Sequence, residues 1–383
     1  NQTEELAALL QVGGLIHDLG NPPFGHYGED VIRNWFNTWF ESNRILATHN
    51  IVLSEQEQYD FRYFDGNVQN LRIVSKLQTQ NDIYGANFTF ATLGTIMKYP
   101  WQSDQCPNGK NKFGYFKSES ALAQKVRSTL GLNEFVRHPA TYLLEAADDI
   151  IYLCDDIEDG AKKGYIDWPT EFDRIIKNLT EKQQLTPELS NLFDDIKAKT
   201  IDSRMGHADR ETAQVRNFRN FVQSFLFRRA VEEFLNRYNA IMSNDYTQVK
   251  DLELLKCESA LVDELKRVTA ENCFSCQEVI ALELEGHRVI STLLDIFVPT
   301  LIESSGKDLS KPKTYSGKLF KLISSNFTYV ALYPHNAEAV KLEDQINDLS
   351  AYERLLLVTD FISGMTDSYA VDIYQKLTGI KHP

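Results

Sequence analysis

The chain has 383 residues, with 40 Lys and Arg against 54 Asp and Glu and a formal net charge of −14, while apolar residues at 43% and charged residues at 25% exclude disorder and low complexity. No stretch approaches the roughly 18 uninterrupted apolar residues that a bilayer-crossing helix needs, and an acidic surface repels nucleic-acid phosphates except at a local cluster of cations. Cys106, Cys154, Cys257, Cys273 and Cys276 are an odd, sparse set that reads as reduced thiols of a soluble cytoplasmic protein.

Leu6, Leu9, Leu10, Gly13 and Ile16 recur at spacings of three and four and predict a helix over Glu4–Ile16. No basic n-region or secretory h-region precedes it, and the first residue is Asn1 rather than Met, so a fragment lacking its natural start is expected. The helix must stop near Gly20, because Asn21-Pro22-Pro23 cannot continue it. A second helix is predicted over Tyr27–Phe40. Further helices are predicted over Asn67–Gln78, Glu119–Leu130, Pro139–Glu158, Arg210–Asn239, Val279–Val298 and Leu349–Leu377. Strand signals are confined to Phe88–Thr92 and Phe327–Leu332, and Ile157–Trp168 reads as a hinge. The expectation is an all-α fold with minor peripheral β structure, and no internal repeat is evident.

The densest chemistry lies in Gly14-Leu-Ile-His17-Asp18-Leu-Gly-Asn-Pro-Pro-Phe-Gly-His26-Tyr-Gly-Glu29. An imidazole beside a carboxylate offers one nitrogen and one oxygen ligand of the kind Mg²⁺, Mn²⁺, Fe²⁺ or Zn²⁺ accepts. His26 and Glu29 are three apart at the start of a helix, an acid/base pair in which the carboxylate can orient the ring. Farther on, Asp148, Tyr152 and Asp156 follow at i, i+4 and i+8, a polar stripe beside Leu144, Ala147, Ile151 and Cys154, which are expected to pack inward. Asp149 is the alternative to Asp148, since neighbouring helix positions diverge by about 100°, and the register with Tyr152 and Asp156 favours Asp148. Cys273-x-x-Cys276 lacks the second pair or flanking His of a zinc ribbon. Arg210, Arg216, Arg219, Arg228 and Arg229, interleaved with Phe218, Phe221, Phe225 and Phe227, read first as a packed helix with solvated arginines; single-stranded nucleic acid is a further candidate partner.

Taken with Phe64-Asp-Gly-Asn67-Val-Gln69, Thr92-Leu-Gly-Thr-Ile-Met-Lys98-Tyr99-Pro-Trp101, Lys112-Phe-Gly-Tyr-Phe-Lys-Ser-Glu119, Glu145-Ala-Ala-Asp148-Asp149-Ile and Gly364-Met-Thr-Asp367-Ser-Tyr369-Ala, these blocks stand in one order from end to end. The chain resembles the deoxyguanosine triphosphate triphosphohydrolase (dGTPase) family of the HD-domain superfamily. That resemblance implies an HD-type helical core over residues 1–160 and a helical C-terminal region packed on it over 161–383. It implies a divalent metal on His17, Asp18 and Asp148 with one further His, in an Arg-x-x-His-Ser-type segment expected upstream of Asn1. It implies hydrolysis of dGTP or other dNTPs to deoxynucleoside and inorganic triphosphate by water attack at the α-phosphorus, with His26 and Glu29 in proton transfer. Tyr152 and Asp156 match sugar contacts, Lys98 and Tyr99 match triphosphate contacts, and Ser368 stands where members often carry Arg. A homo-oligomer, often a hexamer, is implied as well. The alternative is another HD-superfamily phosphohydrolase, a nucleotidase or phosphodiesterase.

Overall fold

The computed structural model describes residues 2–42, 44–78, 85–107, 111–199, 206–333 and 342–380. Helix accounts for 76% of the described residues, and no strand occurs among them. The chain divides into two compact units, one of residues 1–137 with 282–383 and the other of residues 138–281. No helix among the described residues is long and apolar enough to cross a membrane.

In the first unit the opening helix runs Gln2–Ile16 and the next Gly25–Ser42. Ile32, Phe36 and Phe40 recur along one face of the second helix, and Phe36 meets Phe61 at 4.9 Å between ring centroids. That contact seats the helix on Glu55–Arg62, which a capping box at Ser54 and Glu57 starts. Asp65 caps Gly66–Arg72, which continues as a π-helical turn over Ile73–Leu77. Near the other end of the chain, Ala351–Ser363 is buried on almost every side, with Leu355, Leu356, Leu357, Val358, Phe361 and Ile362 all interior. A helix apolar all round belongs at the centre of a core. Its one interior carboxylate, Asp360, accepts from Nε and Nη2 of Arg72, at 2.7 and 2.6 Å, together with the Gln69 amide at 3.0 Å.

The second unit is built on Pro139–Lys162, which packs against His207–Asn236 and Ser259–Asn272. Its inward stripe is Tyr142, Ala146, Ile150, Leu153 and Ile157, with Phe218, Leu261 and Leu265 opposite. Ile151, expected in the inward stripe, is 47% exposed; the stripe is centred one position earlier, on Ile150. Ile157–Trp168 forms the end of one helix, a short turn and the start of the Trp168–Glu181 helix, whose Trp168 ring lies 4.6 Å from Phe218.

The peripheral β structure expected from the sequence is corrected at both places. Thr89 caps a helix over Phe90–Ile96 by accepting the Thr92 amide, and Ser324 caps one over Ser325–Leu332 by accepting the Asn326 amide. A capped turn satisfies backbone groups locally, whereas a lone strand would leave them unpaired. The helix predicted over Leu349–Leu377 is two helices, because Gly364 ends the first and Thr366 caps Asp367–Leu377.

Candidate functional site

His17 and Asp18 follow directly on the Gln2–Ile16 helix, where the chain leaves the helical path. His17 Nδ1 lies 2.8 Å from the Gly14 carbonyl. A carbonyl only accepts, so Nδ1 carries a hydrogen, and in the neutral ring the lone pair sits on Nε2. Nε2 lies 3.6 Å from Asp18 Oδ2. A neutral imidazole whose other nitrogen is tied to a carbonyl, beside a carboxylate, is a donor pair that suits a divalent cation.

The turn from Leu19 to Gly25 brings the chain back for the next helix. A Cβ on Gly20 would lie 2.0 Å from the Gly66 carbonyl oxygen and 2.2 Å from the Asn70 nitrogen, so only glycine permits this turn to lie on the Gly66–Arg72 helix. Phe24 and Gly25 both adopt left-handed backbone angles, φ +64° and +59°. His26, just inside the new helix, is exposed. Glu29 is 3% exposed. Its Oε1 accepts the Gly66 amide at 2.8 Å, and its Oε2 lies 3.4 Å from Arg33. Among the described residues no hydrogen bond joins Glu29 to His26, so the carboxylate anchors the helix start to the Asp65–Gly66 turn rather than touching the ring. Burial, with the negative charge of Asp65 adding to it, raises the Glu29 carboxyl above its ordinary value. Asp65 is pushed the other way: burial opposes its charge, but the Lys112 ammonium and the Asn67 donors outweigh that.

Lys98 and Tyr99 follow the Phe90–Ile96 helix and are both half-buried. The Lys98 ammonium lies 5.9 Å from the Tyr99 ring centroid, and the Arg137 guanidinium lies 5.8 Å from the same ring. Two cations therefore lie near one aromatic ring, an arrangement suited to phosphate oxygens. Arg137 carried no motif signal beyond standing before His138-Pro139. Gln69 is not exposed and serves Asp360, and Asn67 steadies the Asp65 cap; both act within the scaffold.

In the second unit His138 caps Pro139–Lys162, which carries Asp148, Tyr152 and Asp156 along one side. Asp148 is half-buried and Asp149 exposed. Tyr152 donates its hydroxyl to the Asp156 carboxylate; burial first and the Asp156 charge second push the phenol up to about 12. Burial likewise raises Asp156. Asp156 Oδ2 is buried without a hydrogen-bond partner among the described residues. The arginine run on His207–Asn236 is largely engaged within this unit. Arg219 meets Glu158 at 2.8 Å, and Arg229 meets Glu258 at 2.6 Å and Glu232 at 2.8 Å.

No protein-family model matches the chain. Individual relatives do. A deoxyguanosinetriphosphate triphosphohydrolase-like protein of Listeria monocytogenes is 37% identical over 99% of this chain and 79% of its own length. Proteins named deoxyguanosinetriphosphate triphosphohydrolase from Serratia proteamaculans and Yersinia enterocolitica are 30% and 29% identical, each over 97% of this chain and 78% of its own length. With likeness of that degree running through nearly all its residues, the chain belongs to the deoxyguanosinetriphosphate triphosphohydrolase family.

Proposed function

We propose that this chain hydrolyses dGTP, and other dNTPs at the same site, to deoxynucleoside and inorganic triphosphate through water attack at the α-phosphorus. The observation that carries this reading is the extent of the likeness: the Listeria relative matches 99% of the chain, which takes in all the residues named for the reaction. His17, Asp18 and Asp148 are the residues that would hold a divalent cation, Mg²⁺ or Mn²⁺ first and Fe²⁺ or Zn²⁺ second. Such an ion supplies charge neutralisation at the α-phosphate and lowers the pKa of water. His26, exposed on a rigid turn, carries the proton to the departing 5′-oxygen or takes it from the attacking water. Glu29 positions that turn through Gly66. Lys98 and Tyr99 take the triphosphate. Asp156, with its unsatisfied oxygen, accepts the sugar 3′-hydroxyl, and Tyr152 occupies the space a 2′-hydroxyl would need. The protein is proposed to act in the cytoplasm as a homo-oligomer, hexameric on the family resemblance.

The test is a panel of the four dNTPs with Mg²⁺ or Mn²⁺, with products separated by ion-exchange chromatography. Tripolyphosphate in equal amount to deoxynucleoside is expected, and chelator abolishes it. Orthophosphate release would instead assign another phosphohydrolase chemistry.

A further inference from the structure

We propose that Asp367, far from the reacting groups in sequence, is a positioning residue that fixes the direction of His26; this rests on the reading of His26 as the proton carrier. Phe24 stands two residues before His26 and holds φ +64°, a conformation that strains a bulky side chain and persists only where the surroundings determine it. Pro22 and Pro23 before it have no amide hydrogens, so the Phe24 N–H is the first amide donor of the turn after Asn21. Asp367 Oδ1 accepts it at 2.9 Å, a charge-assisted bond from a carboxylate to a backbone amide. Asp367 is itself held at the first position of a helix whose cap, Thr366, accepts the Tyr369 amide. The Phe24 ring is fixed independently, because it lies over Gly286, where a Cβ would come within 2.6 Å of its Cγ. Its carbonyl accepts the Gly28 amide at 3.3 Å. Amide, ring and carbonyl are thus held by different parts of the first unit, and His26 inherits its heading from them.

The experiment compares Asp367→Ala, Asp367→Asn, Gly286→Ala, His26→Ala and the double variant His26→Ala/Asp367→Ala. Hydrogen–deuterium exchange over residues 22–28 reads the anchor directly. Faster exchange is expected in Asp367→Ala and near wild-type exchange in Asp367→Asn, which keeps an acceptor oxygen; unchanged exchange in Asp367→Ala overturns the proposal. In dGTP turnover, Asp367→Ala is expected to lower kcat by about 10- to 100-fold, the range for a small misplacement of a reacting group, with KM little altered. Gly286→Ala, which displaces the same ring, is expected to act in the same direction. In the His26→Ala background the loss of Asp367 is expected to cost nothing further, as for two residues that act as one unit. A full additional loss there, or an Asn variant as impaired as Ala, overturns the proposal. Full turnover by His26→Ala would remove the functional reading of His26, while the exchange measurement still decides whether Asp367 holds the turn.

Discussion

The Tyr152 hydroxyl meets the Asp156 carboxylate while Asp156 Oδ2 keeps no partner among the described residues. A buried acceptor left open discriminates strongly, because a ligand lacking the matching donor leaves it unsatisfied. Tyr152→Phe removes the hydroxyl that meets Asp156 and, on the proposed reading, frees space beside the sugar. The ratio of kcat/KM for dGTP to that for GTP is expected to fall at least about tenfold, or about 1.4 kcal/mol of discrimination; parallel assays of the two nucleotides check it, and an unchanged ratio removes Tyr152 from sugar selection. Asp18→Ala leaves His17 without its carboxylate neighbour at 3.6 Å, and metal analysis of the purified variant is expected to show the divalent ion lost with activity. His17 with Asp18 and Tyr152 with Asp156 were visible as local pairs in the sequence, but spacing gave them no role; only the resemblance to a family did. Glu29 was only half legible: its distance from His26 along the helix suggested a contact, but its carboxylate goes to Gly66, 37 positions on. No local pattern encodes that partner.

At the scale of elements, the long helices were legible from their apolar periodicity, and their ends from Pro, Gly and capping residues. The short helices at Phe90–Ile96 and Ser325–Leu332 were not, since four or five apolar and β-branched residues read equally as strand; the Thr89 and Ser324 caps decide them. What binds Gly66–Arg72 to Ala351–Ser363 was also hidden. Arg72 reads as an ordinary basic residue, yet it is 5% exposed and joins Asp360 at 2.6 Å and Glu119 at 2.8 Å. Lys76 reaches Glu119 as well, at 2.7 Å. The network holds three segments distant in sequence. Arg72→Met keeps much of the volume but leaves Asp360 as an uncompensated interior charge. A loss of about 3–5 kcal/mol in urea unfolding is expected, as for removing one partner of a buried pair. A change below about 1 kcal/mol, the range of exposed pairs, would mean the network is not buried in solution.

At the scale of the whole molecule, the all-helical class was readable from the sparse strand signals, while the acid dependence of stability is a property of the fold. Asp60 is fully buried, with no cation among its hydrogen-bond partners. Burial, aided by the Glu119 charge, pushes its carboxyl up to about 7, against hydrogen bonds from Ser103, Tyr352 and the Lys117 amide. Glu29 moves in the same direction. Between the ordinary carboxylate value and about 7, the folded chain therefore binds a proton at Asp60 that the unfolded chain does not, and stability must fall as pH rises through that window. Asp65, Glu119 and Glu264 lie below their ordinary values; burial opposes each, but their Lys and Arg partners outweigh it. Their contribution is present above the ordinary carboxylate value and is lost as pH falls through the depressed ones. The two sets place the maximum near the ordinary carboxylate value, well below neutrality, and the net charge of −14 adds self-repulsion as pH rises above it. The thermal midpoint is expected to be higher near pH 5.5 than near pH 8, within the window that the raised carboxyls define. Asp60→Asn is expected to shrink that difference: its oxygen can keep Tyr352 and the Lys117 amide, and its nitrogen can donate to Ser103, whose own hydroxyl already reaches the Gln56 carbonyl at 3.2 Å. A midpoint that climbs steadily toward pH 8 in both proteins would show that Asp60 is ionised throughout and that the three hydrogen bonds outweigh its burial.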